Sequence, residues 1–292
     1  MALLIMNIQR GPFSYLAVGA VPTNANACNQ YILTRILLGN VNIKNNHNIY
    51  KQSIDYSKLT PVLQALPNGK VFLDFIQSEG IAQTSAEFIS RTITDNRPFF
   101  EDLLWEYSNY FDQTGKGAHT SAFIFLYRII ERASYSVPAL YFSCSNDYYA
   151  TFSDLQKILN EGGQGELGLL KKFLNQNNFI DQNEKSVVFD INYMSNYGLE
   201  IKYFNVVRTK VQPVLVSQDV NIFKMQISFI NILDFFIKIR NRFFHSRTGD
   251  GQNNIRAHEV ENTDELFSIL NPIFCSFASF VVLRSISKKY QK

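Results

Sequence analysis

Arg240-Asn241-Arg242-Phe243-Phe244-His245 places a guanidinium, an amide and an imidazole within six residues. Histidine is the side chain whose ordinary pKa lies near neutrality, so it can take and return a proton. Arginine keeps its charge and can grip a phosphate with two donors. Asparagine can orient either group by hydrogen bonding. Together they could cleave RNA without a metal. A base helps the 2′-hydroxyl attack the adjacent phosphate, and the arginine stabilises the charge that develops there. The nucleophile belongs to the substrate, so no Ser or Cys is required. The catalytic candidates are therefore Arg240, Asn241 and His245. Arg242 and Arg247 are candidate contacts to the RNA backbone, with a solvated surface as the equal alternative. Glu131 could reach the pocket as an acidic accessory, although a plain surface carboxylate explains it as well.

Spacing tests the idea. Residues five apart on an ideal helix point about 140° apart, so Arg240 and His245 do not face one pocket squarely. They converge if the helix ends between them, or if two copies of the motif meet across a dimer. At a helix C-terminus the dipole favours the imidazolium, which suits a general acid or a phosphate-binding group. By chance, a His five positions after an Arg arises in about one chain in six of this composition. The weight therefore rests on the adjacent Asn and on the helix-end placement. The competing structural reading is a solvated Arg and a His that merely complements the dipole.

The elements that would carry this motif are helical. A long helix is expected from about Asp219 to His245, with Phe229, Leu233, Phe236 and Ile237 on its apolar side. The Gly-containing segment 246–254 stops it. Pro98 opens a helical region that includes Phe99, Leu103 and Phe111. Phe123, Leu126, Tyr127, Ile130, Ala133 and Val137 then mark an amphipathic helix that Pro138 should end. Ser153 can cap another, which Gly162-Gly163 breaks. Asn262 and Glu265 have capping-box spacing before the last apolar stripe, where Pro272 should kink or split the helix. Two alternating runs, Val187–Ile191 and Leu199–Tyr203, predict a β-hairpin inserted over 186–216. In residues 1–95, runs such as Tyr31–Leu38 and Val71–Ile76 sit between turn signals and suit short strands better than long helices. The expectation is a mainly α protein: an N-terminal mixed α/β region (1–95) and a helical domain (96–292) carrying a small β-hairpin insertion.

Composition sets outer limits. The 292 residues carry 28 Lys+Arg and 25 Asp+Glu, so there is no polycationic tail and no global sign of nucleic-acid binding. Between residues 200 and 256, however, nine Lys/Arg stand against four Asp/Glu, a local excess of five around the motif. Cys28, Cys144 and Cys275 are far apart and form no disulfide framework or zinc spacing, which suits a reducing compartment. His119 and His258 have no partners at ligand spacing, so neither metal nor cofactor is expected. Phe, Tyr, Asn, Ile and Lys are all abundant, a compositional habit that argues against reading scattered aromatics as a base-stacking platform. The N-terminal apolar run is too short for a signal peptide, and no segment reads as the roughly 18–20 apolar residues of a membrane helix. The expected setting is soluble and cytoplasmic, without a membrane.

Arg240-Asn241-x-x-x-His245 within a helical bundle resembles the HEPN superfamily (higher eukaryotes and prokaryotes nucleotide-binding). Its signature is Arg, a polar residue, then His after four to six positions. The resemblance covers roughly residues 97–292. It implies an α-helical bundle, a homodimer and a metal-independent endoribonuclease site made from the motifs of two protomers, as in toxin, CRISPR-associated and abortive-infection systems. By the same resemblance Arg240 binds the scissile phosphate, His245 is the acid/base and Asn241 holds the pocket. The implied partners are RNA, a second copy and an antitoxin or sensor protein. Ser246-Arg247 follows the histidine, so the His-x-Tyr ending of some members is absent. Members that have lost the motif serve as binding modules. A non-catalytic RNA- or nucleotide-binding subunit, or a partner-binding helical subunit, therefore stands as the alternative.

Overall fold

The computed structural model describes residues 5–19, 21–60, 62–144, 147–160, 166–176, 179–196, 198–244 and 254–291. Helix makes up 60% of the protein, accompanied by small sheets, so the expected mainly α, mixed character holds. The chain gathers into two compact units: residues 1–132 with 278–292, and residues 133–277.

The first unit starts with β1 (Ile5–Arg10) and β2 (Phe13–Val18). Then come α1 (Asn29–Leu37), β3 (Val41–Asn45), β4 (Asn48–Gln52) and a short ribbon, β5 (Ile54–Asp55) with β6 (Val62–Leu63). Helices α2 (Asn68–Ser78), α3 (Ser85–Thr92), α4 (Arg97–Gly115) and α5 (His119–Cys144) complete the run, α5 crossing into the second unit. Strands β1 to β4 form an antiparallel meander in sequence order. Alternate residues Phe13, Tyr15, Ala17, Val41 and Ile43 are buried, the period-two signature of a sheet covered on one face. Helix α4 packs on β3 and β4, and the buried Tyr15 hydroxyl meets Ser108 Oγ of α4 at 2.6 Å.

Two runs expected as strands are helices here. Tyr31–Leu38 is mostly α1, in which every residue is buried, and Val71–Ile76 lies within α2. A helix enclosed on all sides shows no apolar stripe, so its period is hidden in the sequence. The α2 run buries Val71, Phe72, Phe75 and Ile76, which is helical spacing in a segment too short to declare itself. Pro138 does not end α5, which continues to Cys144 with the proline inside.

The second unit holds α6 (Tyr148–Asn160), α7 (Glu166–Gln176), α8 (Gln182–Ser186), β7 (Val188–Asn192) and α9 (Glu200–Val206). A π-helical turn (Val207–Val211) leads to β8 (Ser217–Asp219), β9 (Lys224–Ser228), α10 (Phe229–Phe244), α11 (Ala257–Val260) and α12 (Thr263–Tyr290). Helix α12 crosses back into the first unit. The break expected at Gly162-Gly163 lies outside the described residues. The expected hairpin over 186–216 is corrected. β7 pairs with β9, not with 199–203, and β8 pairs with the other side of β9, giving a three-stranded antiparallel sheet. Leu199–Tyr203 instead enters α9, where Tyr203, Phe204, Val207 and Val211 are buried at helical spacing. The long helix expected from Asp219 starts only at Phe229, because Met225 and Ile227 alternate into the core as strand residues.

Helix α12 begins as expected: Glu265 N–H donates to Asn262 Oδ1 at 3.0 Å. The carboxylate of Glu265 does not return to Asn262, however. It accepts from Ser195 Oγ (2.9 Å), the Asn196 N–H (2.8 Å) and the Tyr203 hydroxyl (2.7 Å), tying α12 to the start of α9. Burial would raise its pKa, but these hydrogen bonds win and hold it below the usual carboxylate value. Pro272 does not split α12. This helix is long and apolar enough to cross a membrane, yet 78% of its most apolar window is buried inside the protein, as in a core helix.

Candidate functional site

Helix α10 positions the motif. Phe229, Ile232, Leu233, Phe236 and Ile239 form its buried stripe, packed against α7, α8 and β9. Phe236 meets Phe274 of α12 edge-on at 4.6 Å. The polar side of α10 is braced by ions. Asp234 takes Lys171 of α7 at 2.6 Å and Lys238, one turn on, at 3.1 Å. Burial raises the Asp234 pKa, but the two lysines win and hold it below its ordinary value. Lys238 Nζ also donates to the Gln212 carbonyl at 3.0 Å, fastening α10 to the π-helical turn.

Arg240 lies one turn beyond Phe236, at the edge of the buried stripe. Its Nη1 donates to Asn241 Oδ1 at 3.0 Å, and both residues are half-buried. The asparagine therefore holds one side of the guanidinium. Beyond them, Phe243 meets Phe267 of α12 edge-on at 5.0 Å, and Phe244 lies at 6.0 Å from the same ring. This aromatic group anchors the last turn of α10 within the second unit. Immediately after it, the Ile255 N–H donates to the Arg242 carbonyl at 2.8 Å. That bond joins the residues before and after the 243–254 segment and brings the backbone that leads into Arg256 against Arg242.

His245 and Arg247 lie outside the described residues. Arg240, Asn241 and Arg242 are brought together at the end of α10, within the second unit. Glu131 is half-buried on α5 in the first unit, and the site built here in the second unit does not include it. Among the described residues, no group of three or more His, Cys, Asp or Glu is placed to hold a metal ion.

The local excess of basic residues is reduced by the fold. Lys202 pairs with Glu261, Lys210 with Glu259 at 3.3 Å, Lys224 with Asp190 at 2.8 Å and Lys238 with Asp234. Three of those carboxylates lie outside residues 200–256, where a count along the sequence misses them. The Lys224 and Gln226 hydrogen bonds hold the Asp190 carboxyl below its usual value. The Arg256 N–H, outweighing a smaller effect of burial, does the same for Glu259, with help from Lys210. The lysines are thus neutralised, whereas the Arg242 and Arg256 side chains have no carboxylate partner among the described residues. Sequence reasoning counted Arg256 but did not place it at the site. The linking hydrogen bond spans twelve residues and leaves no mark in the motif.

Comparison of the chain with family models, curated proteins and solved structures gives no match.

Proposed function

We propose that the protein is a metal-independent endoribonuclease of the HEPN type, an antiviral-defence or toxin effector that cleaves RNA at a composite site formed by two copies. The observation that carries this reading is the Arg240–Asn241 hydrogen bond at the end of α10, directly before His245. A guanidinium oriented on one side by an amide is the kind of group that can meet a phosphate with paired donors.

In this reading a base removes the proton of the 2′-hydroxyl, and the 2′-oxygen attacks the neighbouring phosphorus. The bond from phosphorus to the 5′-oxygen breaks. The products are a 2′,3′-cyclic phosphate and a 5′-hydroxyl, and the leaving oxygen takes a proton from an imidazolium. Arg240 neutralises the charge on the phosphoryl oxygens. His245 exchanges the protons. The homodimer supplies a second motif, so that base and acid come from two histidines. An antitoxin or sensor protein is the expected partner that restrains the activity in the cytoplasm.

The test compares the full chain with His245→Ala on RNA in the presence of a chelator. Cleavage by the first and not the second is the expected result, with cyclic phosphate ends. Equal activity in both, or a requirement for a divalent metal, overturns the mechanism. RNA binding without cleavage by either protein favours a non-catalytic binding subunit instead.

A further inference from the structure

The second unit treats its lysines and its arginines differently. Lys171, Lys202, Lys210, Lys224 and Lys238 each have a carboxylate partner. Arg242 and Arg256 have none among the described residues, although Glu259 stands close by. Glu259 is already committed: Oε2 accepts the Arg256 N–H at 2.8 Å, and Oε1 meets Lys210 Nζ at 3.3 Å. The carboxylate thus holds the Arg256 backbone in place while its charge is taken up by a lysine. The Ile255 N–H donates to the Arg242 carbonyl, so the backbone next to Arg256 is held against that of Arg242. Two uncommitted guanidiniums on adjoining backbone have a specific use. Each offers several donors that cannot be deprotonated, arranged to take two oxygens of one phosphate.

Resting on the ribonuclease reading, we propose that Arg242 and Arg256 form a two-phosphate track that carries the RNA strand to Arg240. The substrate class this implies is a single strand at least several nucleotides long, held through its backbone and not read by base. The contacts are to phosphates, so affinity should depend on salt and little on sequence. Arg256 is a new assignment to that role, and Arg242 gains a partner in it.

Arg208 provides an internal control. It is exposed and also has no carboxylate partner among the described residues, but it sits on the π-helical turn two positions before Lys210. Residues two apart on such a turn project to roughly opposite sides, and Lys210 is the one directed to Glu259.

The experiment measures binding of a single-stranded RNA oligonucleotide to the full chain carrying His245→Ala, so that the RNA stays intact, across a salt series. Arg256→Glu and Arg242→Glu are each expected to weaken binding by ten-fold or more. Arg256→Gln and Arg242→Gln should lower the salt slope by about one each. Arg208→Glu, which changes the net charge by the same amount, should shift affinity by less than two-fold. Equal losses at all three positions mean diffuse attraction and overturn the track. Unchanged affinity in the Arg256 variants overturns it as well. If wild type cleaves RNA and the Arg256 variants still bind normally, only the track fails. If binding depends on Arg242 and Arg256 but wild type never cleaves, the track stands and the ribonuclease reading fails. If the protein binds no RNA at low salt, both are overturned.

Discussion

Arg35 in the first unit and the Arg242/Arg256 pair in the second show two opposite uses of a guanidinium. Arg35 is wholly buried on α1. Its Nε donates to Asn68 Oδ1, Nη1 to the Tyr31 hydroxyl and Nη2 to the Val18 carbonyl at 3.4 Å. The rings of Tyr31 and Phe72 lie 5.3 and 5.7 Å from its central carbon. Asn68 in turn donates to the carbonyls of Arg35 and Gly39, so one side chain closes the network. Space for it depends on Gly19 and Gly69. A Cβ on Gly19 would come within 2.7 Å of the Gly69 Cα and 3.1 Å of Arg35 Nη2. Neutral acceptors and π faces compensate this charge without a carboxylate. The side chains of Arg242 and Arg256 are less enclosed and have no carboxylate partner among the described residues. A charge whose donors are spent inside the fold supports structure, and one with donors unspent is available to a ligand.

The sharpest way to break this contrast is at His245. His245→Ala should lower RNA cleavage by about a thousand-fold, the scale of a lost acid/base, with the thermal midpoint unchanged. Full activity would detach the second unit's open arginines from chemistry. Arg35→Ala comes next, at about 3–5 kcal/mol of stability, because it leaves a cavity and removes the donors to Asn68 Oδ1 and the Tyr31 hydroxyl. Chemical denaturation measures this, and a change below 1 kcal/mol would make Arg35 as dispensable as a surface arginine.

Glu265 extends the comparison to acids. Glu265→Ala should cost about 2 kcal/mol, since three donors lose their acceptor. Its folded pKa is depressed, so its contribution is complete above the ordinary carboxylate value and fades as pH falls through the lower, folded one. The stability gap between wild type and Glu265→Gln should therefore narrow below about pH 4.3 in acid titrations. A constant gap would remove the charge from the explanation. The smallest effect is expected at the open pair. Arg242→Ala and Arg256→Ala should each change stability by less than about 0.5 kcal/mol. A larger loss would assign them a structural duty like that of Arg35.

What the sequence revealed depended on how each segment is enclosed. Helices with one wet face, such as α4 and the start of α12, could be read from spacing and from the Asn262 cap. Helix α1 could not, because it has no wet face. The β9 alternation of Met225 and Ile227 was absorbed into the helix that follows it without a break. At the site, Arg240 and Asn241 were legible because they are adjacent and their chemistry is local. Arg256 was not, because only a backbone hydrogen bond from its neighbour Ile255, across twelve residues, links its segment to Arg242. Counting charge along the chain overstated the basic surface, because Asp190, Glu259 and Glu261 return to their lysines from outside the window.

The division of the units has a consequence for the order of assembly during synthesis. Residues 278–292 belong with 1–132, and 133–277 lie between them. Within the first unit, Arg91 Nη2 donates to the Tyr290 carbonyl at 2.9 Å, Lys289 meets Asp95 at 3.3 Å and Ser287 donates to Glu79. Those partners emerge from the ribosome after the whole of residues 133–277. The segment made first must wait, with Phe88 uncapped by Tyr290, while the later-made middle of the chain already has all of its own pieces. The first unit would thus close only after residues 278–292 are made, and a ribosome stalled at residue 277 would display residues 1–132 in a protease-sensitive form.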